Sequence, residues 1–480
     1  MIERNFFKIV LALIIALTLN VKLLAADQIT FTWQFDVLSS TLNKRVKIRA
    51  IEGESFTVNW GDNSEIVTKI GAGDTDITLI HTYTSAEEYT VTITASSSDC
   101  RFTLFDCYER DFWNERRENN LISSLIFSDC SALTYLDCSY NLLTDLDLLC
   151  CTNLSTLICV TNQLTNLDLT KCAKLTLLVC YDNQLTILDL TNLSALSRLY
   201  CSHNELTNLY LMDCTALQTL ECYHNHLADL DLTDCSALLS VLCFNNQLTN
   251  IDLTGCKNLS ILSCPYNQLT DLDFTDCSAL NFISISDNQF LLSYLYTTYL
   301  LFDNPSSQYL GTQNLQPQTI AQGGVIDYSS EVEFGGIITN FVVEKNGSPA
   351  IINMDYALNH GIITFYNSGV FTVTMTNAAI ISQPNYPAIA IATINVGTVG
   401  LQEKFISNIK VYPNPTHDIL FIDCEYFSKI MIYDMLGKEV LNQKINGKSE
   451  INISHFSQGV YNVIVVSENK MIGNCKIVKQ

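Results

Sequence analysis

Leu154-Ser-Thr-Leu-Ile-Cys-Val-Thr-Asn-Gln-Leu-Thr-Asn-Leu-Asp-Leu-Thr-Lys-Cys172 is followed two residues later by Leu175-Thr-Leu-Leu-Val-Cys-Tyr-Asp-Asn183, the same text again. The interval is 21 residues, and it holds over eight registers without a gap. Asn141, Asn162, Asn183, Asn204, Asn225, Asn246, Asn267 and Asn288 stand in one column, which Asn120 extends backwards. Leu133, Leu154, Leu175, Leu196, Leu217, Leu238, Leu259 and Leu280 form another. Cys138, Cys159, Cys180, Cys201, Cys222, Cys243 and Cys264 make a third, and Cys130, Cys151, Cys172, Cys214, Cys235, Cys256 and Cys277 a fourth, interrupted at Leu193. A fixed period of this length is the signature of a solenoid.

The consensus L-x-x-L-x-C-x-x-N-x-L-T-x-L-D-L-x-x-C-x-x is a leucine-rich-repeat pattern with Cys in the third apolar position. Each rung is expected to supply a short strand around Leu136-Asp137-Cys138, with rungs stacked at about 4.8 Å. No rung buries its apolar edge alone, so stability is a nearest-neighbour sum along the stack. The chain turns inward at the Asn column, leaving buried backbone groups that an amide side chain both accepts from and donates to. Where the strand Leu and Cys point inward, the residues between and beside them point outward on the inner, concave face. Ile158, Val160, Leu177, Val179, Tyr181, Tyr200, Tyr223, Leu242, Phe244, Ile261 and Phe282 fall there. An exposed apolar patch of this kind marks an interaction site, and aromatics favour a protein or glycan ligand.

Around residues 120–296, read as the repeat solenoid, the composition shifts four times. Residues 1–26 carry Arg4 and Lys8, an apolar run from Ile9 to Leu19 and the small residues Ala25-Ala26, as a cleaved signal peptide does. That run of about eleven residues is too short to span a bilayer, and the mature chain is expected to have no transmembrane span. Residues 27–98 alternate in period two, as in Tyr89-Thr-Val-Thr-Ile-Thr94, and read as a β-sandwich. Val58-Asn-Trp-Gly-Asp-Asn-Ser64, His81-Thr-Tyr83 and Tyr89-Thr-Val-Thr92 resemble the PKD family of immunoglobulin-like modules, with Glu88 where that family usually has Gly. The resemblance implies a spacer or interaction module. Residues 99–119, with the charged and aromatic Asp111-Phe-Trp-Asn-Glu-Arg-Arg-Glu118, are expected to cap the open end of the solenoid. Residues 297–400 lose the repeat and alternate again, which reads as a second immunoglobulin-like sandwich.

Residues 401–480 contain Val411-Tyr-Pro-Asn-Pro415, Ile419-Leu-Phe-Ile422, Ile432-Tyr-Asp-Met-Leu-Gly437, Phe456-Ser-Gln-Gly-Val-Tyr461 and the basic end Lys476-Ile-Val-Lys479. In this order they resemble the C-terminal sorting domain of the type IX secretion system of Bacteroidetes-type Gram-negative bacteria. The resemblance implies a β-sandwich read by the outer-membrane export machinery. Within it Pro413, Asn414, Pro415, Gly437, Gly459 and Tyr461 carry the motif. The fold class expected is thus multidomain and mostly β, a leucine-rich-repeat solenoid flanked by immunoglobulin-like β-sandwiches.

The 480 residues carry 49 Asp and Glu against 26 Lys and Arg, a formal net charge of −23. Phosphate contacts need cations, so nucleic acid is excluded as the main partner. The acidity belongs to the repeats: residues 131–290 hold 17 acidic and four basic residues, while the tail has nine Lys against eight acidic residues.

Candidate chemistry is sparse. One Cys per rung spreads sulfurs along a line instead of converging them on a metal. Buried thiols acting as small hydrophobes are the expectation; disulfides Cys100–Cys107 and Cys424–Cys475 stay open. Asp147, Asp168, Asp189, Asp231, Asp252 and Asp273, interrupted at Tyr210, form an acidic column. Ca²⁺ would relieve its repulsion, and hydrogen bonding to a turn explains it more simply. His203 and His224 share a column and could coordinate a metal, but an exposed pair on a strand edge is the simpler reading; no nucleophile motif or P-loop spacing occurs. We therefore expect a non-enzymatic, exported surface or adhesion protein with no cofactor and no metal. The alternatives are a structural stalk or, less favoured, a hydrolase with its site in 297–400.

Overall fold

The computed structural model describes residues 26–35, 42–108, 121–302, 307–382, 386–397, 410–423, 428–434, 438–445, 447–467 and 470–480. The expected signal segment up to residue 25, the 111–118 stretch, Asn120, Cys424 and Gly437 lie outside these residues. Two compact units divide the chain, Met1–Val396 and Gly397–Gln480, each around its own apolar core.

The repeat organises the first unit. In the rung from Leu154 to Cys172 the column residues Leu157, Cys159, Leu164, Leu167 and Leu169 are all buried. Strand Thr156–Ile158 pairs in parallel and in register with Tyr135–Asp137 on one side and Leu177–Val179 on the other. The same register runs on to Phe282–Ser284. A slip of one residue would turn Leu157 and Cys159 outward, so burial fixes the register. Across the rung, short strands at the acidic column pair as well: Ile187–Asp189 with Asn208–Tyr210, and Asp229–Asp231 with Asn250–Asp252.

The N-terminal layers comprise β1 (Gln28–Trp33), β2 (Asn43–Ala50), β3 (Ser55–Asn59), β4 (Val67–Ile70), β5 (Ile77–Thr82), β6 (Tyr89–Ala95), β7 (Phe102–Asp106) and β8 (Ile122–Ser128). One sheet has the order β4-β3-β6-β1-β8, and the second begins β5-β2-β7. Period-two alternation buries Ile29, Phe31 and Trp33 from β1 and Val46, Ile48 and Ala50 from β2. The second sheet does not end at β7, which pairs in parallel with Tyr135–Asp137, giving twelve strands in one sheet.

Residue 98 is therefore not a boundary, and the expected cap at 99–119 contains a strand. Its apolar residues explain why. Phe105 lies in register with Leu136, and the Cys107 amide donates to the Asp137 carbonyl at 2.8 Å, as the Cys138 amide does to Ile158. The Ile122 amide donates to Asn141 Oδ1 at 2.8 Å, as the Leu143 amide does to Asn162. Residues 102–108 and 121–132 are the two halves of one further rung. The N-terminal layers thus close the open end of the stack by sharing its backbone pairing, which a polar cap would only have covered.

The far end also passes the expected boundary at 296. Helix α1 (Leu292–Tyr299) buries Leu292 and Leu295, and Gln308–Tyr309 then adds another parallel strand beside Phe282–Ser284. Beyond it, Gly369–Ser382 and Tyr386–Gly397 form a long antiparallel pair in a six-stranded sheet. Val325–Asp327, Ile362–Phe365 and Tyr356–Asn359 form a three-stranded sheet. Phe365, Phe371, Val373, Met375 and Ile394 are buried in a core continuous with that of the solenoid.

In the second unit, a three-stranded and a four-stranded sheet enclose Leu420, Ile422, Ile430, Ile432, Ile451, Val463, Val465 and Ile477.

Candidate functional site

The Asn ladder sets the geometry of the strand face. Asn204 Oδ1 accepts from the Leu185 amide at 3.0 Å, while its Nδ2 donates to the carbonyls of Cys180 at 3.0 Å and Cys201 at 3.2 Å. Asn162, Asn183, Asn225, Asn246, Asn267 and Asn288 repeat this pattern, and Asn141 differs in donating to the Cys107 sulfur in place of a preceding-rung carbonyl. Gln313 continues it. Its Oε1 accepts from the Asn288 amide at 3.2 Å and its Nε2 donates to the Ile285 carbonyl at 3.0 Å, one methylene standing in for a longer interval. The sequence signal for Gln313 is hidden because it lies 25 residues after Asn288, outside the 21-residue period.

Immediately before each Asn the backbone is left-handed. Tyr140, Thr161, Asp182, His203, His224, Asn245, Tyr266 and Asp287 all have φ between 51° and 58°. The type preference at this column, rich in Asp, His and Asn, is the legible trace of that conformation.

The predicted outward residues occupy three rows, defined by the register Leu177↔Arg198, Leu178↔Leu199 and Val179↔Tyr200 and its equivalents. Ile158, Val179, Tyr200 and Leu242 share the central row; Leu177, Ile261 and Phe282 precede it, and Tyr181, Tyr223 and Phe244 follow it. Most are half-buried, because side chains stacked at about 4.8 Å cover one another's flanks. Ile261 is the most open, at 37 %. Val160 is a correction: it is only 3 % exposed although it lies outside the apolar core cluster, so it is covered within its own row and offers a ligand no surface. Ser139 and Ser202 of the same row are buried too, so small residues there are shaded by the larger rings of adjoining rungs.

The rungs of Asn204, Asn225 and Asn246 bring four rings together. Tyr223 and Phe244 stack face to face with centroids 4.4 Å apart, and His203 stacks on His224 at 4.5 Å. The two stacks meet edge to face, His203 against Tyr223 at 5.4 Å and His224 against Phe244 at 5.7 Å. Burial and the neighbouring His203 hold the His224 imidazole below its ordinary value. Glu221 lies between Tyr200 and Leu242 in the central row, half-buried, and burial raises its carboxyl. Sequence reasoning passed over Glu221 because one carboxylate in an acidic repeat carries no signal. The arrangement offers a flat ring platform beside a single partly desolvated anion, suited to an apolar ligand surface that brings one cation.

The other candidates resolve into scaffolding. Asp168 Oδ1 accepts from the Thr170 amide at 2.9 Å and hydroxyl at 2.7 Å, and Asp147, Asp189, Asp231, Asp252 and Asp273 each accept from the amide two residues on. These are Asx turns. Hydrogen bonding from Thr170 holds the Asp168 carboxyl below its ordinary value. Among the described residues no group of three or more His, Cys, Asp or Glu is placed to hold a metal ion.

Cys100 and Cys107 are free thiols and buried, as are the ladder cysteines. Burial pushes the thiols of Cys138, Cys159 and Cys201 well above their ordinary value. Only Cys150, among the cysteines of the first unit, is half-buried. A small thiol reagent added to reduced native protein is therefore expected to label Cys150 first, and the ladder only after denaturation. Peptide mapping that finds the ladder thiols oxidised, or equally fast in native protein, refutes this packing.

In the tail unit, Asn414 Nδ2 donates to the Lys476 carbonyl at 2.8 Å and its Oδ1 accepts from the Val478 amide at 2.9 Å. Pro413 and Pro415 flank that clasp. The Tyr461 hydroxyl donates to the Ser457 carbonyl at 2.8 Å, and Gly459 opens the strand that carries Tyr461.

A parallel-stranded 21-residue solenoid with an asparagine ladder and an apolar strand face is a leucine-rich-repeat-like architecture. Residues 410–480 match the family of the secretion system C-terminal sorting domain, which addresses the protein to type IX export, to the cell surface or the medium. No helix among the described residues is long and apolar enough to cross a membrane. An ulvan lyase from Nonlabens ulvanivorans is 28 % identical over 155 residues, 30 % of this chain and 29 % of that protein. The chain thus spans less than a third of the length of that curated relative. Among solved structures, the functional domain of InlJ from Listeria monocytogenes, which includes a cysteine ladder, is similar with 21 % identity and a TM-score of 0.32, covering 56 % of this chain and 72 % of that one. YopM from Yersinia enterocolitica is similar with 28 % identity and a TM-score of 0.29, covering 34 % of each chain.

Proposed function

We propose that this exported protein captures a macromolecular ligand, a protein or a glycan, on the strand face of its solenoid, by non-covalent binding and without catalysis. The observation that carries the reading is the paired ring stack of Tyr223 with Phe244 and His203 with His224, partly open to solvent and adjoining Glu221. A stalk that only spaces other modules has no reason to place rings and aliphatic side chains in three rows on its wet face. Ring platforms supply large contact area at low entropy cost, and such residues dominate measured interface energetics.

The flanking layers fit a spacing role. In the first, Trp60 stacks on His81 at 4.8 Å, His81 Nε2 lies 2.7 Å from Asp62 Oδ2 and the Tyr83 hydroxyl donates to the Trp60 carbonyl. The residues that resemble the PKD family thus meet in one cluster, which supports reading this module as PKD-like and the terminal layers as immunoglobulin-like sandwiches.

Replacing Tyr181, Tyr200, Tyr223 and Phe244 together by Ser is expected to lower ligand capture by about tenfold or more while the rungs stay folded, since two lost anchors at about 2 kcal/mol each exceed that. Quantitative mass spectrometry of surface macromolecules retained on immobilised residues 27–400, wild type against variant, reads the effect. Equal recovery on both would move the binding site off the strand face.

A further inference from the structure

Cysteine ladders account for the buried thiols, but Cys150 belongs to neither column. It occupies the turn position held by Lys171, Asn192, Asp213, Asp234 and Asp276 in later rungs, where side chains face solvent. Its neighbour in sequence, Cys151, is a ladder residue with no exposure at all. The turn brings the two sulfurs to 3.8 Å of each other. No other rung has a second thiol at this place.

We propose that Cys150 and Cys151 are a redox-active vicinal dithiol that takes an external disulfide, of a small thiol or of a dithiol oxidoreductase, as its oxidant and closes to an intramolecular disulfide. The step balances as two exchanges. Cys150 thiolate attacks one sulfur of the external disulfide; that S–S bond breaks, a mixed disulfide forms on Cys150, and the departing thiolate takes up a proton. Cys151 then attacks the Cys150 sulfur, the bond to the external group breaks, and the second departing thiolate takes the Cys151 proton. Two electrons leave the pair, and the external disulfide is reduced to two thiols.

The division of labour follows from position. Cys150 is the half-buried sulfur and meets the oxidant; Cys151 is sealed from solvent, with Cys150 at 3.8 Å as its way out. Either sulfur can donate across the 3.8 Å contact; once Cys150 is a thiolate the Cys151 thiol is the donor, and this, with backbone hydrogen bonding from Cys130 and Cys150, holds Cys150 below its ordinary value against the opposing effect of burial. That same donation, with burial, raises Cys151. A disulfide bond of about 2.05 Å requires the sulfurs to approach by less than about 2 Å. Export carries the protein into an oxidising environment, where the oxidant class is at hand. Closure there removes the one partly exposed thiol of the first unit, from which exchange into the buried ladder would start.

The test uses the full chain, reduced and then freed of reductant, incubated with oxidised glutathione, quenched by alkylation and mapped by mass spectrometry. The peptide bearing Cys150 and Cys151 is expected to lose two hydrogens, carry no glutathione as end product and recover both thiols on reduction. Cys151→Ser should trap glutathione on Cys150, and Cys151→Ala provides the same test if the serine disturbs the column. Cys150→Ser should leave Cys151 unmodified in native protein. A stable glutathione adduct on Cys150 of the wild-type chain overturns the proposal, as does no reaction at either residue. Both readouts are independent of ligand capture.

Discussion

Removal of residues 401–480 leaves the protein in the periplasm, with none at the cell surface or in the medium. The deleted segment contains the matched sorting domain and forms a core of its own, from Leu420 to Ile477, separate from the core that runs from Ile29 to Val396. Its loss therefore removes the address without opening the solenoid, and the truncated chain should accumulate folded. Cell fractionation, with protease accessibility on intact cells, distinguishes this from degradation. Surface display of the truncated protein at wild-type level would mean that export reads some other part of the chain. Transplanting residues 397–480 onto an unrelated signal-bearing reporter should conversely carry that reporter out.

Asn204→Leu is expected to cost the first unit about 3–6 kcal/mol. Asn204 is 6 % exposed, and its amide serves the Leu185 amide and the carbonyls of Cys180, Cys201 and Ser202. An amide nitrogen has two hydrogens, so about three strong bonds are at stake, each leaving a buried group unsatisfied at about 1–3 kcal/mol. A domain has only about 5–15 kcal/mol to lose. Since rungs hold each other by nearest-neighbour contact, the defect should split the stack at its centre. Urea unfolding should show an earlier and less cooperative transition. Gln184→Ala, at the exposed position beside Asn183, is the control and should shift stability by no more than about 0.5 kcal/mol. A loss below about 1 kcal/mol for Asn204→Leu would show that water replaces the ladder.

The period of 21 residues, the identity of the ladder and the sorting tail were legible because each is a one-dimensional pattern. A repeat that stacks in register turns a sequence column into a spatial row, so Asn141 to Asn288 could be placed without coordinates. The same logic located Tyr200, Tyr223 and Phe244 on one face. It failed at Val160, since alternation says which way a side chain points but not whether larger rings in the next rung roof it over. It also failed to rank the face, because the contacts of Tyr223 with Phe244 and His203 depend on ring orientation.

By itself the sequence determined what is periodic: the parallel stack, its buried Leu and Cys columns, the amide ladder and the tail that directs export. Tertiary structure alone decided how the period ends. Residues 102–108 carry the pattern in Phe102, Phe105 and Cys107, but an insertion parts them from their own second half at Ile122. Gln313 enters the ladder only because α1 and the chain after it return to the stack. Spatial equivalence there comes from hydrogen bonding between distant segments, and a fixed interval along the chain cannot express it. The meeting of Cys150 with Cys151 at 3.8 Å is of the same kind: adjacency is written in the sequence, and the turn that aims one sulfur at the other is not.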